Sequence, residues 1–339
     1  MNGKKSRLEY IDALRGVAII GVMVYHYLPR FELTYQLDFA MITQYTEYGK
    51  YGVHLFFIIS GYVIYMTVAR TSSPMQFIFA RFSRLYPAFW VSVTLSYSLI
   101  VLYGDPVVRV LPDMYVYQAN LTMLQRFILY PSIDGVYWTL TFELVFYFYM
   151  GVFMLFGLQR NSFRYSFVWL VCTIGVTCLA IVTDTELSER LKGLFILEFN
   201  SFFLTGVAIY NFHKDHIKKT LIILVLSLIQ QIVISGFELA AVYVFVIALF
   251  FVFSNLDNIV TTVLSSVGKI SYSLYLLHAI PGYILITRLY GAGFQVLPNV
   301  LITICAVIIV SYFMWYFVEI PSQSFLRDRF EWGHKKRVV

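Results

Sequence analysis

Residues 15–26 read Arg-Gly-Val-Ala-Ile-Ile-Gly-Val-Met-Val-Tyr-His, and this apolar stretch with a basic residue at each end decides the fold. An α-helix turns by about 100° per residue, so eleven steps bring His26 to within about 20° of Arg15 on one helix face. The same steps separate the two side chains by about 16 Å along the axis, over half of the hydrocarbon thickness of a bilayer. Ionisable side chains inside a membrane span are costly, so the stretch indicates a membrane helix with a function.

The whole chain has the composition of a polytopic membrane protein. Of its 339 residues, 59% are hydrophobic and 13% are charged, and the mean hydropathy is +0.73. These values lie outside the range of soluble globular domains. Apolar runs of spanning length predict an all-α helical bundle, one domain over 1–339, with ten transmembrane helices. The predicted spans are roughly 11–28, 51–69, 85–103, 136–157, 165–183, 193–211, 220–235, 239–254, 269–289 and 299–318.

Basic residues predict which side each loop faces. Of the 25 Lys and Arg residues, seventeen fall on the side of the N-terminus, seven fall on the opposite side, and Arg15 lies within a span. Because an excess of Lys and Arg marks the cytoplasmic side, we expect both termini to lie inside. The net charge of +6 therefore reflects topology, and nucleic acid is not an expected partner.

The cysteines give no indication of a metal site or of a disulfide framework. All three lie in apolar segments, without the spacing of metal ligands, and they are predicted to be buried thiols. They are Cys172, Cys178 and Cys305.

A histidine and a glutamate at similar predicted depth form a candidate catalytic pair. His26 lies near the outer end of the first span, and imidazole is the side chain that changes charge near neutral pH. Glu143 lies near the start of the fourth span, where an unpaired carboxylate is unfavourable. A Glu–His pair would orient the imidazole as a general base. A loop-bonded interfacial histidine and a structural glutamate are the alternatives.

Two arginines before the third span are candidate ligands for an anionic group. Arg81 and Arg84 are three residues apart in a predicted inner loop, just before Pro87 at the start of the span. At this spacing on a helical turn they point to one side, and guanidinium groups bind phosphate oxygens bidentately. With Arg15 at the same membrane face, they predict a site for a polyanionic ligand. Ordinary flanking charge is the alternative.

Five further side chains are weaker candidates for a substrate site or a channel. Residues 60–61 are a Ser-Gly pair, and such small residues allow either another helix or a narrow ligand arm to approach closely. Ordinary packing, or a buried histidine satisfied by a tyrosine, is the alternative. The five are His54, Ser60, Trp138, Tyr275 and His278.

Together these segments resemble the acyltransferase-3 family of integral membrane O-acyltransferases. The motifs follow the order of that family over nearly the whole chain, although Ile320 stands where members often carry a basic residue. The motifs are Arg15-x10-His26, Gly52–Tyr62, Arg81-x-x-Arg84-Leu-x-Pro87, Trp138-Thr-Leu-x-x-Glu143, Ser271–His278 and Val318-Glu319-x-Pro321.

The resemblance implies transfer of an acyl group, usually acetyl, from acetyl-CoA as co-substrate to a hydroxyl of a surface glycan or its lipid-linked precursor. O-antigen of lipopolysaccharide and exopolysaccharides are such acceptors, and the expected location is the bacterial cytoplasmic (inner) membrane, among its lipids. Under this interpretation Arg15, Arg81 and Arg84 hold the CoA, and His26 is the base oriented by Glu143. The chain ends about 20 residues after the last span, so no fused extracytoplasmic domain is expected.

A rival interpretation comes from another functional class. A proton-coupled transporter that uses Arg15, His26 and Glu143 as a relay would explain the intramembrane charges equally well. It would explain the paired arginines at 81 and 84 less naturally. The glycan, the hydroxyl that is modified and the oligomeric state stay open.

Overall fold

The computed structural model describes residues 9–30, 32, 44–71, 73–104, 111–183, 191–212, 217–256 and 258–329. Within these ranges every regular element is helical and there is no strand. Seven of the helices found there are long and apolar enough to cross a membrane. The prediction of an all-α, polytopic membrane bundle is therefore confirmed. Both termini lie outside the described residues, so their cytoplasmic location stays a prediction.

The helices follow the predicted order, with shifted ends. The seventh and eighth predicted spans form one long helix interrupted at Gly236, whose φ of 79° and ψ of −174° suit glycine. Some of the other predicted spans are covered by shorter helices, so the number of crossings stays a prediction. The helices are α1 (Glu9–Tyr25), α2 (Gly52–Val68), α3 (Pro74–Tyr103), α4 (Met114–Leu121), α5 (Trp138–Leu155), α6 (Ser162–Thr183), α7 (Asn200–Phe212), α8 (Ile217–Asn255), α9 (Ile259–Lys269), α10 (Ser271–Leu277), α11 (Ile280–Gly291), α12 (Val296–Met314) and α13 (Ile320–Arg329).

The third helix shows the largest shift, because it begins at Pro74 and not near residue 85. The prediction that Arg81 and Arg84 occupy a loop is therefore wrong. Proline needs no amide donor at the first helical position, and the Ser73 hydroxyl accepts a hydrogen bond from a first-turn amide at 3.4 Å. Arginine is also a good helix former. The charge of the two arginines therefore did not indicate irregular backbone.

The cysteines also differ from the prediction, because the side chains of Cys172, Cys178 and Cys305 are exposed. The prediction of buried thiols is wrong for a physical reason. A membrane helix is apolar on its outward face as well as on its packed face, so apolar neighbours in sequence do not indicate burial.

Contacts divide the chain into two units, each assembled from segments far apart in sequence. Unit one comprises the described parts of Met1–Ala18, Tyr51–Phe77 and Phe142–Ser265. Unit two comprises those of Ile19–Lys50, Ile78–Thr141 and Ser266–Val339. The prediction of one domain over the whole chain stays a prediction.

In unit one, α2 and α7 approach closely at two glycines. A Cβ atom on Gly61 would lie 2.0 Å from the carbonyl oxygen of Phe203, and one on Gly206 would lie 2.0 Å from that of Ile58. Close backbone contact at small residues is a common way to pack membrane helices. The sequence left open whether a helix or a ligand arm approaches Gly61, and the structure places α7 there.

We expect Gly61→Ala to destabilise the protein, because the new methyl group meets backbone atoms that cannot rotate away. Overpacking typically costs about 1–3 kcal/mol, and a backbone clash belongs at the upper end. The matched control is Gly175→Ala on α6, where a Cβ would meet no atom within 4 Å. Thermal unfolding of both purified variants in detergent measures the difference. Equal midpoints would contradict the close crossing.

In unit two, a buried carboxylate fixes the start of α11. One oxygen of Asp134 accepts from the amide of Ile280 at 2.9 Å, and the other accepts from the amide of Val136 at 3.1 Å. Asp134 has no solvent exposure, and a carboxylate at a helix N-terminus satisfies amides that lack helical partners. The chain between α10 and α11 is held in place, and this short connection contains His278.

Candidate functional site

His26 lies where the first helix changes its geometry. The α-helix ends at Tyr25, and a π-helical turn spans His26–Arg30 with Pro29 inside it. π-helical turns are rare and occur frequently at functional sites. The prediction that Arg15 and His26 share one helix face assumed a regular α-helix over both residues. The regular helix extends from Arg15 only as far as Tyr25, one residue before His26.

The imidazole of His26 has a tyrosine on one ring nitrogen. Its Nδ1 lies 2.7 Å from the hydroxyl oxygen of Tyr283 on α11. Tyr283 is buried, whereas His26 is partly exposed. A hydrogen bond at one ring nitrogen fixes the orientation of the ring and selects the chemistry of the other nitrogen. Nε2 of His26 is therefore the atom to consider for proton transfer.

A second histidine packs against His26. The ring centroids of His26 and His278 are 4.9 Å apart at an interplanar angle of 81°. Nδ1 of His278 lies 2.8 Å from the carbonyl oxygen of Tyr275 and 3.2 Å from that of Leu274. Carbonyl oxygens only accept, so Nδ1 carries the hydrogen and Nε2 carries a lone pair. That Nε2 is buried without a hydrogen-bond partner among the described residues.

The hydroxyl of Tyr275 is held by the start of α5. It donates to the carbonyl oxygen of Val136 at 2.8 Å and lies 2.6 Å from the hydroxyl of Thr139. These contacts satisfy the tyrosine within unit two. Trp138, the first residue of α5, is partly exposed. A substrate or channel role for Tyr275 and Trp138 stays a prediction.

Glu143 belongs to unit one, and two hydroxyl groups bind its carboxylate. The Tyr147 hydroxyl donates to it at 2.6 Å and the Ser60 hydroxyl at 3.2 Å. The sequence required a partner for this carboxylate but did not identify Tyr147, which the i, i+4 spacing on one helix face could have indicated. Ser60 therefore helps to hold the Glu143 carboxylate in place through this hydrogen bond. The pairing of Glu143 with His26, a residue of unit two, stays a prediction.

Arg15, in unit one, is paired with an acidic residue one turn earlier. Its Nη1 lies 3.0 Å from Oδ1 of Asp12, and the two side chains are 22% and 21% exposed. Sequence reasoning missed Asp12, although it stands at the i, i+3 spacing that favours ion pairs on a helix. The pair lowers the cost of placing Arg15 in a membrane helix. The guanidinium has five N–H donors, more than this ion pair uses.

Arg84, in unit two, forms an ion pair with a buried glutamate. Its Nη1 lies 2.6 Å from Oε2 of Glu319, and the glutamate side chain has no exposure. The Ser273 hydroxyl also donates to Glu319, and the guanidinium lies 5.4 Å from the centre of the Tyr272 ring. Glu319 ends a second π-helical turn, Trp315–Glu319. This cluster was not foreseen, although Arg84 and Glu319 each stood out in the sequence.

The remaining candidates are less informative. His54 is buried in unit one among aromatic rings, with the ring of Phe202 at 4.7 Å and that of Phe199 at 5.7 Å. Arg81 is partly exposed on α3. Over the part of the chain that the structure describes, no three His, Cys, Asp or Glu side chains are grouped to hold a metal ion.

Comparisons with known proteins give the family. The family model described as an acyltransferase domain, acyltransferase 3, matches residues 8–318. An O-acetyl transferase of Shigella phage Sf6 is 24% identical over 324 residues, which cover 91% of this chain and 94% of that protein. No solved structure matches the chain significantly. Since the family model spans nearly the whole sequence, the chain belongs to the acyltransferase-3 family.

Proposed function

We propose that this protein is a membrane O-acyltransferase that moves an acyl group, most often acetyl, from cytoplasmic acyl-CoA to a hydroxyl of an extracytoplasmic or lipid-linked glycan. Membership of the family and the similarity to a phage O-acetyl transferase support acyl transfer to oxygen. The observation that carries the proposal is the partly exposed imidazole of His26, fixed at Nδ1 by Tyr283. The proposed location is the inner membrane of a bacterium, with both termini in the cytoplasm.

In the proposed reaction His26 acts as general base. Its Nε2 takes the proton from the acceptor hydroxyl as that oxygen attacks the thioester carbonyl carbon of acyl-CoA. The carbon–sulfur bond then breaks, and the departing CoA thiolate takes the proton from the imidazolium. The products are an ester and CoA with a free thiol. A general base typically contributes about 10²–10⁴-fold to such a reaction.

The hydrogen bond to Tyr283 sets which nitrogen of His26 can act. Neutral imidazole carries one hydrogen, so a basic Nε2 requires the hydrogen on Nδ1. We assign that hydrogen to Nδ1, where it is donated to the Tyr283 oxygen. The same bond strengthens when the ring becomes positively charged. Glu143, held by Ser60 and Tyr147, is the proposed acidic partner of His26. Because Tyr283 and the acceptor proton occupy the two ring nitrogens, its proposed contribution is the negative charge that stabilises the imidazolium.

The donor site is the second part of the proposal. Arg15, Arg81 and Arg84 would bind the phosphates of CoA, since guanidinium groups form bidentate bonds with phosphate oxygens. The ion pair with Glu319 engages one nitrogen of Arg84. Because guanidinium has five N–H donors, the ion pair with Glu319 does not by itself exclude a phosphate at Arg84.

Two tyrosines offer a matched test of the His26 hydrogen bond. Tyr283→Phe is expected to lower kcat for transfer by about 10- to 100-fold, since hydrogen bonds to charged groups contribute about 1.5–3 kcal/mol. Tyr27→Phe removes the same atom from a bond of the same 2.7 Å length, between the Tyr27 hydroxyl and the His278 carbonyl. It should affect stability more than kcat.

Steady-state rates with radiolabelled acetyl-CoA measure both tyrosine variants. Tyr283→Phe should change the pH profile of kcat more than Tyr27→Phe does, because Tyr283 is the tyrosine that binds the imidazole directly. Equal losses of kcat in Tyr283→Phe and Tyr27→Phe would show that the tyrosines serve packing alone.

The proposed activity itself is tested on cells. Mass spectrometry of surface glycans, with and without this protein, should show labile mass increments of one acyl group that depend on the protein. Their absence from every glycan and lipid-linked precursor would contradict an O-acyltransferase.

A further inference from the structure

A cleft of about 340 Å³ opens between α5 and α6 in unit one, away from Glu143 and its partners. Aromatic side chains form much of its lining, among them Tyr149, Phe153, Tyr165 and Trp169. On α6 the lining residues run from Arg164 to Cys172, a length of about 12 Å. The volume lies at the lower end of the range for ligand sites, about 300–1,000 Å³.

The surroundings of this cleft are apolar. Phe148 on α5 and Val171 on α6 do not line it and are 64% and 50% exposed. Both helices are long and apolar enough to cross a membrane, so such side chains face lipid. The cleft therefore opens to the hydrocarbon of the bilayer, where a lipid chain can fill it.

One end of the cleft is polar and positive. Arg164 is exposed and forms no ion pair within the described ranges, and it lies in the first turn of α6, where the helix dipole is positive. The hydroxyl of Tyr165 is buried and has no hydrogen-bond partner among the residues described. Both residues line the cleft, and a buried hydroxyl without a partner is unfavourable, so a polar ligand group there would supply the hydrogen bond that Tyr165 lacks.

We propose that the cleft binds a phospholipid with an anionic headgroup. One acyl chain lies along the aromatic walls toward Cys172, the phosphate pairs with the Arg164 guanidinium, and the Tyr165 hydroxyl donates to an oxygen of the headgroup region. Guanidinium matches phosphate in a bidentate geometry. Basic pockets between membrane helices on the cytoplasmic side bind such headgroups, and the positive-inside pattern predicts that side for Arg164.

The position of the cysteines provides the assay. All three cysteines are exposed, and Cys172 lines the cleft, whereas Cys178 on α6 and Cys305 on α12 do not. The full chain in a neutral detergent is treated with N-ethylmaleimide, and the alkylation rate of each cysteine is followed by peptide mass spectrometry. Dioleoylphosphatidylglycerol should slow alkylation of Cys172 several-fold more than dioleoylphosphatidylcholine, which has the same chains and a zwitterionic headgroup. Cys178 and Cys305 should react at unchanged rates.

Variants and soluble probes identify the source of the anionic group. Arg164→Gln should reduce the protection by phosphatidylglycerol to that of phosphatidylcholine, whereas Arg70→Gln, an exposed arginine outside the cleft, should not. If Arg164→Gln does not fold, Arg164→Lys replaces it and should keep part of the protection. Inorganic phosphate and glycerol 3-phosphate, which lack chains, should not protect.

Three results would overturn this proposal. The first is equal protection of Cys172 by the two lipids. The second is full headgroup preference in Arg164→Gln or Arg164→Lys. The third is parallel slowing at all three cysteines, which would mean a general effect of lipid on the micelle.

Discussion

Replacing His26 with glutamine is expected to lower the rate of acyl transfer by about 10²–10⁴-fold, the usual contribution of a general base. Glutamine can keep a hydrogen bond to Tyr283 but cannot take a proton at neutral pH. Folded protein should still reach the membrane, because His26 is partly exposed and glutamine is a polar side chain of similar size. The measurement is the initial rate with radiolabelled acetyl-CoA, normalised to monodisperse protein.

Glu143→Gln tests whether the acidic residue belongs to the same catalytic unit. It removes the charge while keeping the shape and the contacts with Ser60 and Tyr147. The single variant should be severely impaired, and its defect should add little to that of His26→Gln if the two residues act together. Near-normal transfer by a well-folded His26→Gln would rule out the base, and fully additive defects would separate Glu143 from it.

The second large effect concerns stability. Arg84→Met is expected to lower the free energy of unfolding by about 3–5 kcal/mol, because it leaves the Glu319 carboxylate buried without its cation. Arg84→Met combined with Glu319→Gln should recover much of this loss, since neither buried charge remains. Arg81→Met, three residues earlier on α3, is the matched control and should cost less. Denaturant unfolding of the four proteins in detergent measures these differences.

The same variants separate the two proposed roles of Arg84. If Arg84 also binds CoA, the double variant regains stability but keeps a raised KM for acetyl-CoA. If it serves the ion pair alone, stability and KM recover together. An Arg84→Met variant as stable as Arg81→Met would contradict the importance of the buried pair.

The order of the helices could be predicted from the sequence because membrane spans leave a strong local signal. Runs of apolar residues have the length that a bilayer requires, so each predicted span overlaps a helix, although the seventh and eighth spans share one long helix. The predictions were wrong where the structure depends on more than the length of an apolar run. The start of α3 depends on caps and on charged helical turns, and the exposure of Cys172 depends on which face meets lipid.

The candidate site was predictable in its ionisable residues but not in their partners. Arg15, His26 and Glu143 stood out because charges inside spans are rare. Asp12 and Tyr147 lay within one helical turn of their partners, so spacing could have indicated them. Tyr283 is 257 residues from His26 and Glu319 is 235 residues from Arg84, distances that only the fold brings together. A single sequence carries no local signal for such pairs.

The direct test of the proposed function is the sidedness of transfer in reconstituted vesicles of known orientation. Labelled acetyl-CoA is supplied on the side of the C-terminus and a glycan acceptor on the opposite side. The proposal predicts labelled glycan on the far side while CoA stays where it was added, and loss of that product with His26→Gln. Product formed only when donor and acceptor share the cytoplasmic side, or passage of an unmodified solute in place of product, would contradict it.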